Sequence, residues 1–468
     1  MHPYIDKKHK ALRVVSFFSG CGGLDLGFRQ AGFQVVWANE FEPAVFETYQ
    51  KNHPGTTLCK KDIQKIKLKD VPSCDGFIGG PPCQSWSVAG KQKGLDDERG
   101  KLFLTYIKMI KHHKPKFFVI ENVKGILDER FKDVFSSFIS RLADAGYDVY
   151  YKLLDAVHFG TPQNRERVFI VGFLNKLHID YSFPEAITKT PITLQQAIGD
   201  ITEKPRYFKD GDFVPDSEGR LNHDVIDCYF GDYYNRGNRR RDWNRPSFTI
   251  HATAANAPLH PSSPKMRYIG YENWEFEEPR NKYRRLSVRE CARIQTFPDY
   301  FQFFYSDIKS AYKMIGNAVP PRMAFHLANS IKNALGEQAT IMDKIVLVGY
   351  YKDSKHLNNI LKYGIYNIRS DGRRGSIKES DIMSLPEFLV LHHGSKSLIF
   401  RLTQTNPFLM DRDSLIKNGY KVSGVEYLCL SLSSTEELTL KDIVGRDMKL
   451  KTLHHYAPYL TTLGEIIQ

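Results

Sequence analysis

A chain of 468 residues, 41% hydrophobic and 25% charged, has the composition of a folded protein with room for several domains and a large buried core. No run approaches the roughly 18 to 20 apolar residues of a membrane span, and no apolar stretch backs the basic N-terminus as a signal peptide would require, so a cytoplasmic protein is expected. A net charge of +13 fits a polyanionic partner, while seven scattered cysteines, odd in number and never spaced CxxC, argue against a disulfide framework and against a zinc site.

In chain order, "ALRVVSFF" (11–18) predicts a strand that ends in the glycine-rich "SGCGG", and the amphipathic "LDLGFRQAG" follows as a helix. Further strands are predicted at 34–40, 74–80, 116–122, 148–156 and 167–173, with helical stretches "KLFLTYIKMIKHH" and "VFSSFISRLADAG" between them. This alternation over residues 1–185 implies an α/β fold with a doubly wound, mostly parallel sheet. Over 186–285 the periodicity fails and arginines cluster in "NRGNRRRDWNRPS" and "RNKYRR", as in a separate basic module. Regular structure returns over 286–338, where Ser287 and Glu290 form a capping-box pattern and "VPPRMAFHLANSIKNALG" reads as a helix between two prolines and Gly336. Residues 340–468 form a further small α/β segment opening with "KIVLVGYY".

Chemistry concentrates at the ends of the predicted strands. In "GGPPCQSWSVAG" (79–90), Pro81 and Pro82 remove two backbone donors and stiffen the chain, so Cys83 sits on a rigid corner. A buried structural cysteine is the competing reading. Gly20, Gly22 and Gly23 permit a tight turn into a helix N-terminus, and Glu40 ends the next strand where an acid can accept from ribose hydroxyls. The spacing is GxGG rather than GxGxxG, which suits S-adenosylmethionine better than a dinucleotide; a simple turn before a helix is the alternative. Asp62 could accept from an adenine amino group, or be a plain surface acid. Glu121 and Asn122 end one parallel strand and Cys83 follows another, so both can face one cleft, with Arg165 and Arg167 of "QNRERV" near it.

Taken together, "FFSGCGG", "NE" (39–40), "DI" (62–63), "GGPPCQSWS", "ENV", "QNRERV", "RECARIQTFPD" (289–299) and "IGNAVPP" (315–321) occur in an order that resembles the DNA cytosine-5 methyltransferases of bacterial restriction–modification systems, over residues 12–336. The resemblance implies a Rossmann-like catalytic domain (1–185 and 286–338) interrupted by a target recognition domain (186–285). It implies that a Cys83 thiolate adds to C6 of a flipped cytosine, that Glu121 holds the N3 edge, that Arg165 bonds O2 and that Arg167 supports the cleft. Phe18, Ser19, Gly20, Gly22, Gly23, Glu40, Asp62, Pro82, Asn317 and Val319 would hold S-adenosylmethionine. Ser87 and Arg99, in a loop resembling the one that closes over double-stranded DNA, would touch phosphates, and Thr249 matches a position near such contacts. Arg236, Arg239, Arg240, Arg241 and Arg245 would supply backbone affinity and base reading. "SFTIHATAANAPLHP" is similar to recognition segments for short palindromes, with GGCC as a candidate. Ala89 departs from relatives that place a polar residue in the space left by the flipped base. A cognate restriction endonuclease and a monomeric enzyme are implied. The tRNA-methylating branch of the family is the nearest alternative, disfavoured by "PCQSWS" and the long basic insert; a catalytically dead binding protein is disfavoured by Cys83, Glu121 and Arg165. The letters "GIY" (364–366) lack the rest of a nuclease motif, and no nuclease activity is expected of the tail.

Overall fold

The apolar runs of the first 185 residues form one seven-stranded sheet in the computed structural model, which describes residues 11–82, 98–187, 190–213, 222–271, 273–336 and 345–369, with shorter stretches between 386 and 462. Its strands are β1 (Arg13–Phe17), β2 (Gln34–Asn39), β3 (Thr57–Cys59), β4 (Gly76–Gly79), β5 (Phe117–Val123), β6 (Tyr147–Asp155) and β7 (Glu166–Leu174), in the order β3-β2-β1-β4-β5-β7-β6. Strands β1 to β5 pair in parallel, and β7 runs antiparallel between β5 and β6. The central strands β1, β4, β5 and β7 are largely apolar because both faces are covered, whereas the edge strand β6 is half-exposed. On one face Val15, Phe17, Phe77, Phe118 and Ile120 pack with residues of α3 (Glu98–His113) and α4 (Lys132–Asp144). On the other, Phe28 of α1 (Gly23–Gln30) meets Phe33, which meets Phe117. Each of these fully buried phenylalanines contributes about 1.5–3 kcal/mol. Helix α2 (Phe46–Asn52) lies between β2 and β3 in the chain.

Residues 186–285 belong to the same compact unit as the sheet, which comprises residues 11–297 and 301–334. They hold short elements around a core of their own: α5 (Leu194–Ile198), β8 (Arg206–Lys209) paired with β9 (Asp224–Asp227), α6 (Asp232–Asn235), and β10 (Met266–Gly270) paired with β11 (Asn273–Phe276). Tyr234, Leu259, Met266 and Tyr283 form that core. Part of the arginine cluster serves it. Arg285 is fully buried and donates to the Tyr234 hydroxyl and to the carbonyls of Ala255, Cys228 and Tyr229.

The chain then returns through α7 (Val288–Ile294), α8 (Ile308–Asn317) and α9 (Pro321–Ala334). The capping box forms: Ser287 accepts from the Glu290 amide, and Glu290 accepts from the Ser287 amide. Helix α9 packs on α1 so closely that a Cβ on Gly27 would lie 2.4 Å from Ala324 Cβ.

The second unit, from residue 335 onward, contains β12 (Ile345–Tyr350), α10 (Ser354–Tyr363), β13 (Ile365–Arg369), β14 (Phe388–His393), β15 (Lys396–Arg401), β16 (Phe408–Asp411), β17 (Glu426–Ser431) and β18 (Tyr459–Thr462). They form sheets ordered β15-β14-β12-β18 and β13-β17-β16. The "GIY" letters have a structural explanation: Gly364 caps α10 at φ 64°, Ile365 opens β13, and the Tyr366 hydroxyl accepts from the Tyr350 amide at 3.0 Å.

Candidate active site

The C-terminal ends of β1, β2, β4 and β5 open on a cavity of about 710 Å³, where open α/β sheets take their ligands. Its first wall is the β1–α1 loop. Phe18 and Gly20 both adopt left-handed backbone (φ 52° and 54°), and Gly22 caps α1 at φ 89°. The loop is tied down from β2: the Ser19 amide donates to Asn39 O, and the Gly20 amide to Glu40 Oε2 at 2.8 Å. Glu40 Oε1 accepts from the amides of Phe41 and Glu42.

The glycines divide by task. At Gly22 a Cβ would sit 2.1 Å from His53 Nε2, and at Gly23 2.4 Å from Val319 O, so these two are glycine because protein packs against them. At Gly20 a Cβ would meet nothing within 4 Å, and only the positive φ asks for glycine. Beneath the loop, His53 Nε2 donates to Cys21 O (3.2 Å) while Nδ1 accepts from Arg29 (3.4 Å), which assigns the tautomer. Burial pushes this imidazole down to about 3, so it is neutral. Asp25, fully buried on α1, accepts from the hydroxyls of Ser16 (2.6 Å) and Tyr49 (2.5 Å), and burial pushes its carboxyl up to about 6. Neither residue was singled out by the sequence reading, because their partners lie on other elements.

Phe18, Ser19, Gly20, Gly23, Glu40, Asp62, Pro82, Glu121, Arg167, Asn317 and Val319 all line the cavity. Gly22 does not; it sits against His53. Asp62 also caps a short 3-10 turn by accepting from the Gln64 amide. Phe41, 66% exposed on the cavity rim, was missed, although an aromatic residue directly after the strand-ending "NE" could have flagged it. Cys83, Ser87 and Ala89 lie outside the described residues, as does the side chain of Arg99 at the start of α3. Pro82, immediately before Cys83, lines the cavity, and Asn122 Nδ2 donates to Pro81 O.

Glu121 meets Arg167 at 3.0 Å (Oε1 to Nε), both largely buried. Burial pushes the Glu121 carboxyl above the usual range, with Arg167 and then Arg165 pulling it back. Arg165 is not where the sequence reading put it. It is 1% exposed, does not line the cavity, and donates to Ile250 O (3.1 Å), Gly316 O (2.8 Å) and Ala318 O (3.0 Å). The position facing Glu121 belongs to Arg167, two residues on along the same strand edge.

The basic segment is sorted by the same kind of accounting. Arg240 points inward, donating to Ser263 O, Pro261 O and Asp242, so it braces the fold rather than offering its edge to DNA. Arg239 lies 4.0 Å from the Tyr233 ring and Arg241 4.0 Å from the Phe248 ring. Arg245 is exposed, and Thr249 donates to Asn164 O at 2.5 Å. Among the described residues, no group of three or more His, Cys, Asp or Glu side chains is placed to hold a metal ion.

The sequence profile of the C-5 cytosine-specific DNA methylases matches residues 12–333. The chain belongs to this family. The methylase is 43% identical over 338 residues to the type II methyltransferase M.FnuDI of Fusobacterium nucleatum, an alignment covering 71% of this chain and 98% of that protein. With M.MthTI of Methanothermobacter thermautotrophicus it shares 45% over 324 residues, covering 69% and 97%. It is thus a DNA cytosine-5 methyltransferase of the restriction–modification type. The fold agrees with a solved DNA modification methyltransferase encoded in an Escherichia coli prophage, at TM-score 0.54 and 23% identity, covering 70% of the methylase and all of that chain. The family match ends at residue 333, within the last turn of α9.

Proposed function

We propose that the methylase transfers a methyl group from S-adenosylmethionine to C5 of a cytosine flipped out of a short double-stranded site, through a covalent bond between Cys83 and C6. The observation that carries this reading is the convergence on one cavity of a loop suited to a nucleoside and a buried Glu121–Arg167 pair beside the Pro81–Pro82 corner. S-adenosylmethionine fits the wall: the aromatic rings of Phe18 and Phe41 would flank adenine, Glu40 has lone pairs left for ribose hydroxyls, and Asp62, Asn317 and Val319 complete the rim. When bound it supplies an electrophilic methyl group.

Cytosine C5 is a poor nucleophile. A thiolate from Cys83 adding to C6 pushes electrons to C5, and the prolines before it leave mainly χ1 to aim the sulfur. Glu121, its carboxyl held protonated more readily by burial, donates to N3 and offsets the negative charge that the addition places on the ring. Arg167 orients Glu121 and offers its remaining N–H groups to O2, the role first expected of Arg165. Once C5 is methylated, loss of its proton expels the Cys83 thiolate and restores the aromatic ring.

For recognition, Arg239 and Arg241 carry the reading. A guanidinium held over a ring keeps its orientation, Arg239 also by donating Nε to Tyr233 O, and its terminal N–H groups would pair with guanine O6 and N7. Two such readers suit a guanine-containing palindrome such as GGCC. Ser87 and Arg99 would contact phosphates, a cognate endonuclease would cut the same unmodified site, and the enzyme would act as a monomer in the cytoplasm. Bisulfite sequencing of plasmid DNA from cells expressing the chain tests the proposal. A protected cytosine recurring in one short sequence, and lost in Cys83→Ser, is expected; no protected cytosine despite soluble protein would refute it.

A further inference from the structure

The turn entering β7 sends two side chains into the interior, and both end on the same backbone unit of the basic segment. Gln163 Oε1 accepts from the Ile250 amide (3.0 Å), and Arg165 Nη1 donates to the Ile250 carbonyl (3.1 Å). The other ends of these side chains reach the cavity wall. Arg165 Nη2 holds Gly316 O and Ala318 O, within the run Gly316–Val319 that lines the cavity. Gln163 also bonds Gln295, whose amide donates to Ile315 O (2.8 Å) and Ala318 O (3.1 Å). Nothing cushions the two segments from each other, since a Cβ on Gly316 would lie 2.3 Å from the backbone of His251 and Ala252.

From this arrangement we infer that Arg165 is a positioning residue that couples occupancy of the cofactor cavity to recognition of DNA, each ligand raising the affinity for the other. The inference rests on the proposed function, since it takes the cavity as the cofactor site and residues 239–251 as the reading segment. The physical argument is one of shared ordering. A ligand against Asn317 and Val319 fixes the 316–319 backbone and with it two of the three acceptors of a planar, rigid fork. The fork then fixes Ile250, between Thr249 and His251, so DNA binding second has less left to immobilise. Linkage requires the effect to be equal in the reverse order.

The test measures binding, not turnover. The full chain is titrated with a labelled duplex carrying the site found by bisulfite sequencing, with and without saturating S-adenosylhomocysteine, which cannot donate a methyl group. For the wild type, duplex Kd is expected to tighten roughly tenfold or more with the cofactor product present, within the usual range of coupling. In Arg165→Lys, whose ammonium lacks the fork, the ratio is expected to fall to about one- to twofold by the same coupling argument, even where each separate affinity persists. A merely structural role would weaken both affinities and leave the ratio unchanged, which would overturn the inference. So would a wild-type ratio of about one with both ligands bound, the proposed function surviving. A wild-type chain that binds neither ligand would overturn the proposed function and the inference with it. If Arg165→Lys does not fold, Gln163→Met, which releases the Ile250 amide together with Gln295 and Ile294 O, takes its place; an undiminished ratio there also overturns the proposal.

Discussion

Replacing Gly27 by alanine tests how the two ends of the catalytic fold are joined. The new methyl would stand 2.4 Å from Ala324 Cβ, 2.5 Å from Pro321 O and 2.7 Å from Phe325 N. Carbon atoms prefer about 3.5–4.0 Å, so α1 and α9 must separate by more than about 1 Å or bend. Two of the three clashes are with backbone, which no rotamer change relieves. Overpacking of this kind costs about 1–3 kcal/mol, and backbone clashes put it near the top of that range. At roughly 2 °C per kcal/mol for a unit this large, Tm should fall by about 4–6 °C in a calorimetric scan. Adding Ala324→Gly should recover little, because Pro321 O and Phe325 N remain. Gly20→Ala is the control: it meets no atom within 4 Å, is strained only by φ 54°, and should cost about 1–2 kcal/mol. A Gly27→Ala protein within 1 °C of wild type, or one fully restored by Ala324→Gly, would show that the helices do not depend on this approach.

Four further outcomes are expected. Arg322 is buried, its Nε and Nη1 have no partner among the described residues, and burial disfavours its charge. The guanidinium stays charged at neutral pH, so its unpaired burial is a cost to the fold; Arg322→Met should raise Tm at pH 7.5, and a lowered Tm would count against this account. Glu121→Gln should reduce turnover about 10²- to 10⁴-fold. Because Arg167 favours the ionised carboxylate, Arg167→Met should move the Glu121 limb of the pH–rate profile further up, and an unmoved limb would remove Arg167 from the pair. Arg239→Lys and Arg241→Lys should each lose about 1–3 kcal/mol of discrimination against a wrong base, read from methylation of variant duplexes, whereas Arg240→Lys should lower stability and leave specificity intact.

The sheet was legible because its central strands are apolar on both faces, and α7 and α9 because their caps are written locally, in Ser287 with Glu290 and in Pro321 with Gly336. The three-residue β3 carries no such run and was not anticipated. Arg165 and Arg167 show a different limit. Alternation along an extended segment puts residues two apart on one face, so the two read as equivalent. They part because β7 begins only at Glu166, which sets Arg167 beside Glu121 while Arg165 turns to Ile250, Gly316 and Ala318. Likewise, "RRR" (239–241) is three equal letters until Arg240 is seen to spend its donors on Ser263, Pro261 and Asp242. The tasks of Gly22, Gly23 and Gly27 depend on His53, Val319 and Ala324, which no local pattern connects to them.

The cavity takes one wall from residues 16–25 and another from 310–319, with the basic segment between them in the chain. At about 5–20 residues per second, a ribosome needs on the order of 15–60 s to travel from Phe18 to Val319. Throughout that interval the nascent chain lacks half of its cofactor wall. By the time Val319 emerges, the arginines of 239–245 have already been made. No length of incomplete chain therefore possesses the chemistry without the reading segment, and a prematurely terminated product is inert rather than indiscriminate. On the proposed function, threading the recognition segment through the middle of the catalytic fold makes specificity a precondition of activity from the first finished molecule.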